Sequence, residues 1–276
     1  MAMMVLAILC FSLMEIGVKT LSPELPTIQI LWARYFTQFA LVFMLVLPRL
    51  SVVARTKYPA LQAFRSLAVL GATICFFYGY QKNSLVETNS MAQTAPIFIT
   101  LGAALFLGEK FGIRRALSLV VGLIGALIIL QPGTTNFSAW LLLPMMGAAL
   151  YSGYALATRF VGRDEDIWTS LLYAAVLSAL VMSIMVPFYW QPIDLRQALI
   201  LIAIGLAGSL AQLMLTQAFT ITQASVLAPL SYISLIFATI WDLTIFGIVP
   251  AFTTYLGALV IVAAGLYVWH RETRAT

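Results

Sequence analysis

The chain has 276 residues, of which 62% are apolar and only 9% are charged, with a formal charge of +5. A soluble domain carries about 25% charge, so this composition excludes a water-soluble fold and predicts an integral membrane protein. The positive residues lie in short loops with no basic patch among exposed aromatics, which argues against nucleic acid as a partner.

In chain order, MAMMVLAILCFSLM lacks the basic n-region and small-residue cleavage site of a signal peptide, so it reads as the first span. Apolar runs follow at 28–48, 60–81, 84–108, 114–131, 138–160, 167–189, 196–219, 223–247 and 251–270. With 2–20 they predict about ten transmembrane helices, each near the roughly 20 residues that cross the hydrocarbon. LSLVVGLIGALIIL shows no alternation, which excludes an outer-membrane barrel. Cys10 and Cys75 both lie in apolar segments and carry no disulfide or metal framework. No cofactor is expected.

Charges inside spans are costly and usually face protein. In span 1, Ser12, Glu15 and Lys19 share a face. Glu15 and Arg34 of span 2 lie at similar depth, so an ion pair is expected. Either it neutralises two charges, or Arg34 holds a substrate carboxylate and Glu15 exchanges a proton. Phe77, Tyr78 and Tyr80 cluster at the outer end of span 3. Glu87 reads as interfacial, and Asn89, Gln93, Pro96 and Thr100 form a stripe along span 4. Tyr151, Tyr154 and Thr158 share a face of span 6, and Gln212, Thr216 and Phe219 a face of span 8. In span 9, Ser231, Ser234, Ala238 and Trp241 form a stripe, with Asp242 toward the outside. Such stripes are interhelical hydrogen-bonding glue or the wall of a shared cavity. Pro96 and Pro229 are expected to interrupt their helices, while Gly122, Gly125, Gly205 and Gly208 allow close helix packing.

The chain repeats itself. CFSLMEIGVKT (10–20) lies over LYSGYALATRF (150–160), SMAQTAPIFITLGAALFLG (90–108) over PLSYISLIFATIWDLTIFG (229–247), and GLIGALIIL (122–130) over GALVIVAAGL (257–266), in the same order and at a nearly constant offset. Two units are expected, 1–135 and 136–276. Five spans per unit is an odd number, so the second unit enters from the opposite side: an all-α membrane fold of two inverted five-helix repeats. Arg49, Arg55, Lys57, Arg65, Lys110, Arg114, Arg115, Arg159, Arg163, Arg271 and Arg274 fall on one side, which the positive-inside rule makes cytoplasmic, together with both termini.

Phe11, Ser12 and Lys19 in span 1, Arg34 within LWARYF, the block TAPIFITLGAALFLGEK (94–110) and the Gly-rich GLIGALIILQPG (122–133) resemble the drug/metabolite transporter superfamily, EamA type. The second half departs in LTIFGIVP (243–250), which lacks the Glu of LFLGEK. The resemblance implies a permease of the bacterial inner membrane, by default an exporter of amino acids or related metabolites. The alternative is an uptake permease for a vitamin, S-adenosylmethionine or another planar or cationic solute. No Walker A sequence is present, so energy is expected from a gradient of substrate, proton or another coupling ion. A monomer and a homodimer are both open. One His and no HExxH or paired-Asp motif argue against an intramembrane enzyme, and a non-transporting scaffold would have no use for polar stripes at matching repeat positions.

Overall fold

The computed structural model describes residues 2–107, 113–133, 138–161, 165–221 and 228–275. Glu109 and Lys110 of the LFLGEK block, Arg163, Val226 and Leu227 lie outside them.

The helices are α1 (Ala2–Leu21), α2 (Thr27–Val46), the short α3 (Leu50–Val53), α4 (Pro59–Lys82), α5 (Leu85–Ala92), α6 (Ala95–Leu107), α7 (Ile113–Leu130), α8 (Leu142–Val161), α9 (Ile167–Met185), α10 (Leu195–Ile221), α11 (Ile233–Thr244) and α12 (Phe252–Ala275). Short 3₁₀ turns precede α8 and α11 and follow α2 and α9. Among the described residues six helical stretches are long and apolar enough to cross a bilayer, and Val120–Leu130, Leu230–Thr244 and Phe252–Tyr267 are shorter apolar helices. Large apolar side chains such as Leu13, Met44, Leu67, Leu180 and Leu199 face outward, as a lipid solvent requires.

Start signals are local. Ser84 accepts from the Glu87 amide and Glu87 returns a bond to the Ser84 amide, a capping box that starts α5. Glu87 therefore closes a helix end. Asp194 and Gln197 exchange the same reciprocal bonds at the start of α10. The segment expected as one span over 84–108 is two helices. Gln93 and Thr94 form a turn between them, and Pro96 occupies the first turn of α6, where its missing N–H has no intrahelical partner to lose. Pro229 lies in the 3₁₀ turn Ala228–Tyr232 that precedes α11.

Glycines set the closest helix approaches. A Cβ on Gly125 would lie 2.9 Å from the Gly257 carbonyl oxygen, and one on Gly257 would lie 2.6 Å from that of Gly125, so α7 and α12 meet backbone to backbone. Gly205 faces Thr37 across α10 and α2 with no room for a side chain. Besides these pairs, α4 packs on α8 and α9, α1 on α10, and α2 on α9. The largest core cluster joins Val18, Leu21, Ile30, Leu31, Phe77 and Ile204.

Candidate functional site

Helix α4 runs the length of the bundle and touches a polar cluster at each end. Near its start, Gln62 donates to Glu165, which lies in the connection between α8 and α9, at 2.6 Å. The same carboxylate accepts from Thr56 Oγ1 and, at 2.6 Å, from the Lys57 amide. Burial pushes the Glu165 carboxyl up, but these bonds together with one from the Tyr58 amide outweigh it and hold the group below the usual carboxylate range.

At the other end, Gln81 donates to the Ser22 carbonyl at 3.1 Å and accepts from Thr27 at 3.0 Å. Glu24, between α1 and α2, accepts from Gln197 at 3.0 Å and from Arg196 at 2.9 Å. The Gln197 and Arg196 bonds hold the Glu24 carboxyl below its ordinary range. Gln29 donates to the Gln191 carbonyl at 3.0 Å and accepts from its amide at 3.1 Å. The two ends are thus built alike. A glutamate in a short connection accepts from a glutamine in the first turn of a helix remote in sequence.

Between the ends lies a cavity of about 90 Å³. Its wall takes Arg34, Tyr35 and Gln38 from α2, Arg65 and Val69 from α4, Tyr154 and Thr158 from α8, Ser170, Leu171 and Ala174 from α9, and Gln212 and Thr216 from α10, with Glu165 and Ile167 at one end. Arg34 is 5% exposed. Its guanidinium lies over the rings of Tyr35 and Phe77, 4.5 and 5.8 Å from their centroids. Its Nε donates to Met14 Sδ at 3.3 Å, while its buried Nη1 has no hydrogen-bond partner. Gly208 makes the space: a Cβ there would stand 2.9 Å from Met14 Sδ and 3.2 Å from Arg34 Nε. Arg65, 3% exposed, donates to the Ser170 carbonyl and Thr158 Oγ1 and lies over Tyr154, and its Nε is also buried without a partner.

The EamA-like transporter family model matches this chain twice, over residues 1–131 and 138–269. The chain belongs to the EamA-like transporter family. Among its relatives, the riboflavin transporter of Rhizobium johnstonii is 32% identical, covering 98% of this chain and 91% of that protein. The pseudopaline exporter of Pseudomonas aeruginosa is 29% identical, covering 94% and 92%. The S-adenosylmethionine uptake transporter of Rickettsia bellii is 24% identical, covering 98% and 92%. A solved crystal structure superposes with a TM-score of 0.64 at 20% identity, covering 96% of this chain and 94% of its own, which shows a shared fold. This EamA-like chain is a multi-pass membrane protein, and its relatives' names point to transport of small molecules and not to catalysis.

Of the residues singled out from the sequence of this EamA-like protein, Arg34, Tyr154, Gln212 and Thr216 line the cavity. Phe77 backs Arg34, and Tyr151 lies beside Tyr154 with ring centroids 5.6 Å apart and the rings tilted by 41°. Tyr78 is half-buried on α4. The expected Glu15–Arg34 ion pair is absent. Glu15 instead accepts from Asn89 at 2.9 Å and Tyr80 at 3.0 Å, and Arg34 turns to Met14 and its aromatic neighbours. The reason is that α5 brings an amide donor to Glu15, while the Gly208 gap draws the guanidinium toward α10. Ser12 bonds back to the Leu9 carbonyl of its own helix. Gln93 donates to Ser234 Oγ at 3.0 Å and the Ser231 carbonyl at 3.1 Å, joining the break before α6 to the turn before α11.

Asp242 is wholly buried. It accepts from the Leu85 and Val86 amides at the start of α5 and pairs with Lys19 at 3.7 Å. Trp241 packs on the main core, and its Nε1 is buried without a partner. Gln38, Ser170 and Glu165 stand out in no sequence pattern, and Arg65 reads there only as a charge beside a loop. Glu24 lies in the connection after α1 and Glu165 in the connection after α8, the first long helix within each of the two family matches.

Proposed function

We propose that this chain is a secondary transporter that moves a small metabolite through the α2–α4–α8–α9–α10 cavity by alternating access, in the bacterial inner membrane with both termini cytoplasmic. The observation that carries the reading is a cavity with two buried arginines in its wall between two like-built polar ends, in a chain whose relatives are named as transporters. At about 90 Å³ it is smaller than the roughly 300–1,000 Å³ of typical small-molecule sites. A solute therefore enters only when one end parts.

Ten spans in two inverted units, 1–135 and 136–276, suit this motion. The two family matches support that division. So does the packing. Exchanging each helix for its repeat counterpart turns the α4–α8 contact into α10–α1 and the α2–α10 contact into α9–α4, and maps α7–α12 and α2–α9 onto themselves. The same exchange carries Gln62–Glu165 onto Gln197–Glu24. The relatives' names include both an exporter and uptake transporters, so the scaffold suits either direction.

The test is counterflow of labelled amino acids, riboflavin and S-adenosylmethionine into liposomes bearing the purified protein. The wild type moves at least one of them. Arg34→Ala and Gln212→Ala lower that flux at least tenfold while inserting normally. Unchanged flux in both variants would remove the cavity from the path.

A further inference from the structure

The cavity contains two buried guanidiniums that the described structure leaves incompletely satisfied. Arg34 and Arg65 are 5% and 3% exposed, and each has a buried nitrogen with no hydrogen-bond partner: Nη1 in Arg34 and Nε in Arg65. Neither has a carboxylate within ion-pair distance among the described residues. The single acid in the wall, Glu165, is already held by Thr56, Lys57 and Gln62. The rest of the wall is neutral, with Gln38, Gln212, Thr216, Ser170 and Tyr154 as polar groups.

A buried cation without an anion is costly, because aromatic faces and a thioether replace only part of its hydration. A guanidinium presents a planar fork matched to a carboxylate, which it binds through parallel charge-assisted hydrogen bonds. A net cationic solute would instead meet two guanidiniums against the single carboxylate of Glu165, a wall of net positive charge. Glu165 offsets one of the two charges from the Arg65 end, and the net positive charge that remains, centred on Arg34, has the electrostatics of an anion site.

We propose that the substrate of this chain is an anionic solute bearing at least one carboxylate, that Arg34 is its anchoring residue, and that Arg65 supplies a second positive contact toward the Glu165 end. The assignment rests on the cavity being the substrate path. Gln212 and Thr216 on α10 face the same space and are available to the solute's neutral polar groups.

The experiment compares matched probes on the full-length protein in detergent at constant ionic strength: succinate against succinamide, and glutarate against glutaramide. A ligand that binds only the folded state raises the melting temperature. At least one carboxylate is expected to raise Tm where its amide does not. Arg34→Gln should weaken that carboxylate's apparent affinity at least tenfold. Arg34→Lys, which keeps the charge without the fork, should weaken it several-fold. If no carboxylate outperforms its amide on the wild type, the proposal is overturned. It is overturned equally if Arg34→Gln keeps the wild-type preference. The wild-type comparison needs no variant to fold. Counterflow of the same probes into liposomes bearing the same proteins separates the two readings: flux without carboxylate preference overturns the anion assignment alone, whereas absence of all flux counts against the transport reading.

Discussion

Single residues in this bundle act by what they leave room for or hold in place. Gly208 is a gap on α10 that lets Arg34 lie against Met14. Glu165 holds three segments together through its carboxylate. Its folded-state pKa is depressed, so its stabilisation is present above the ordinary carboxylate range and fades as pH falls through the depressed value. Glu165→Gln is expected to lower Tm by a few degrees at pH 7, with the gap to wild type closing below about pH 4.5. Thermal melts of both proteins from pH 7 to pH 3 check this, and a gap that persists in acid would deny the carboxylate its role. Charged residues were legible in the sequence because a charge inside an apolar span has few explanations. Their partners were not. Whether Glu15 meets Arg34 or Asn89 depends on helix rotation, which spacing on a single helix does not set.

At the scale of elements, a run of about 20 apolar residues has one stable form in lipid, so the reading found α1, α2, α4, α8, α9 and α10 to within a few residues. The break between α5 and α6 was signalled by Pro96, but its exact place follows from Thr94, whose hydroxyl and amide both bond to the Met91 carbonyl. Polar stripes read from helical spacing divided between two uses. Gln212 and Thr216 reached the cavity, while Gln93 and Ser234 bond to each other. Gln93→Leu is expected to cost about 1 kcal/mol, the order of two interhelical contacts in a membrane. It should also slow flux more than it lowers stability, since it uncouples two interrupted helices. Unfolding by denaturing detergent beside liposome flux measures both. A variant with lower stability and normal flux would mark the contact as glue alone.

Taken whole, the molecule has two ends with one device each. Crosslinking either end is expected to stop transport. In a Cys10→Ala, Cys75→Ala background, Glu24→Cys with Gln197→Cys, or Gln62→Cys with Glu165→Cys, should lose flux when bridged through two disulfides by a short bis-methanethiosulfonate and regain it on reduction. Flux that continues through either bridge would rule out opening at that end.

The devices are alike in plan but not in composition. At the Glu24 end the glutamate also holds Arg196, an ion pair whose side chains are 58% and 35% exposed. At the Glu165 end the extra donors are the neutral hydroxyl of Thr56 and backbone amides. Dissolved ions screen an exposed pair of full charges more strongly than short hydrogen bonds from uncharged donors to a carboxylate. Added salt is therefore expected to loosen the Glu24 end more than the Glu165 end, and, on the alternating-access reading proposed above, to favour conformations open at the Glu24 end.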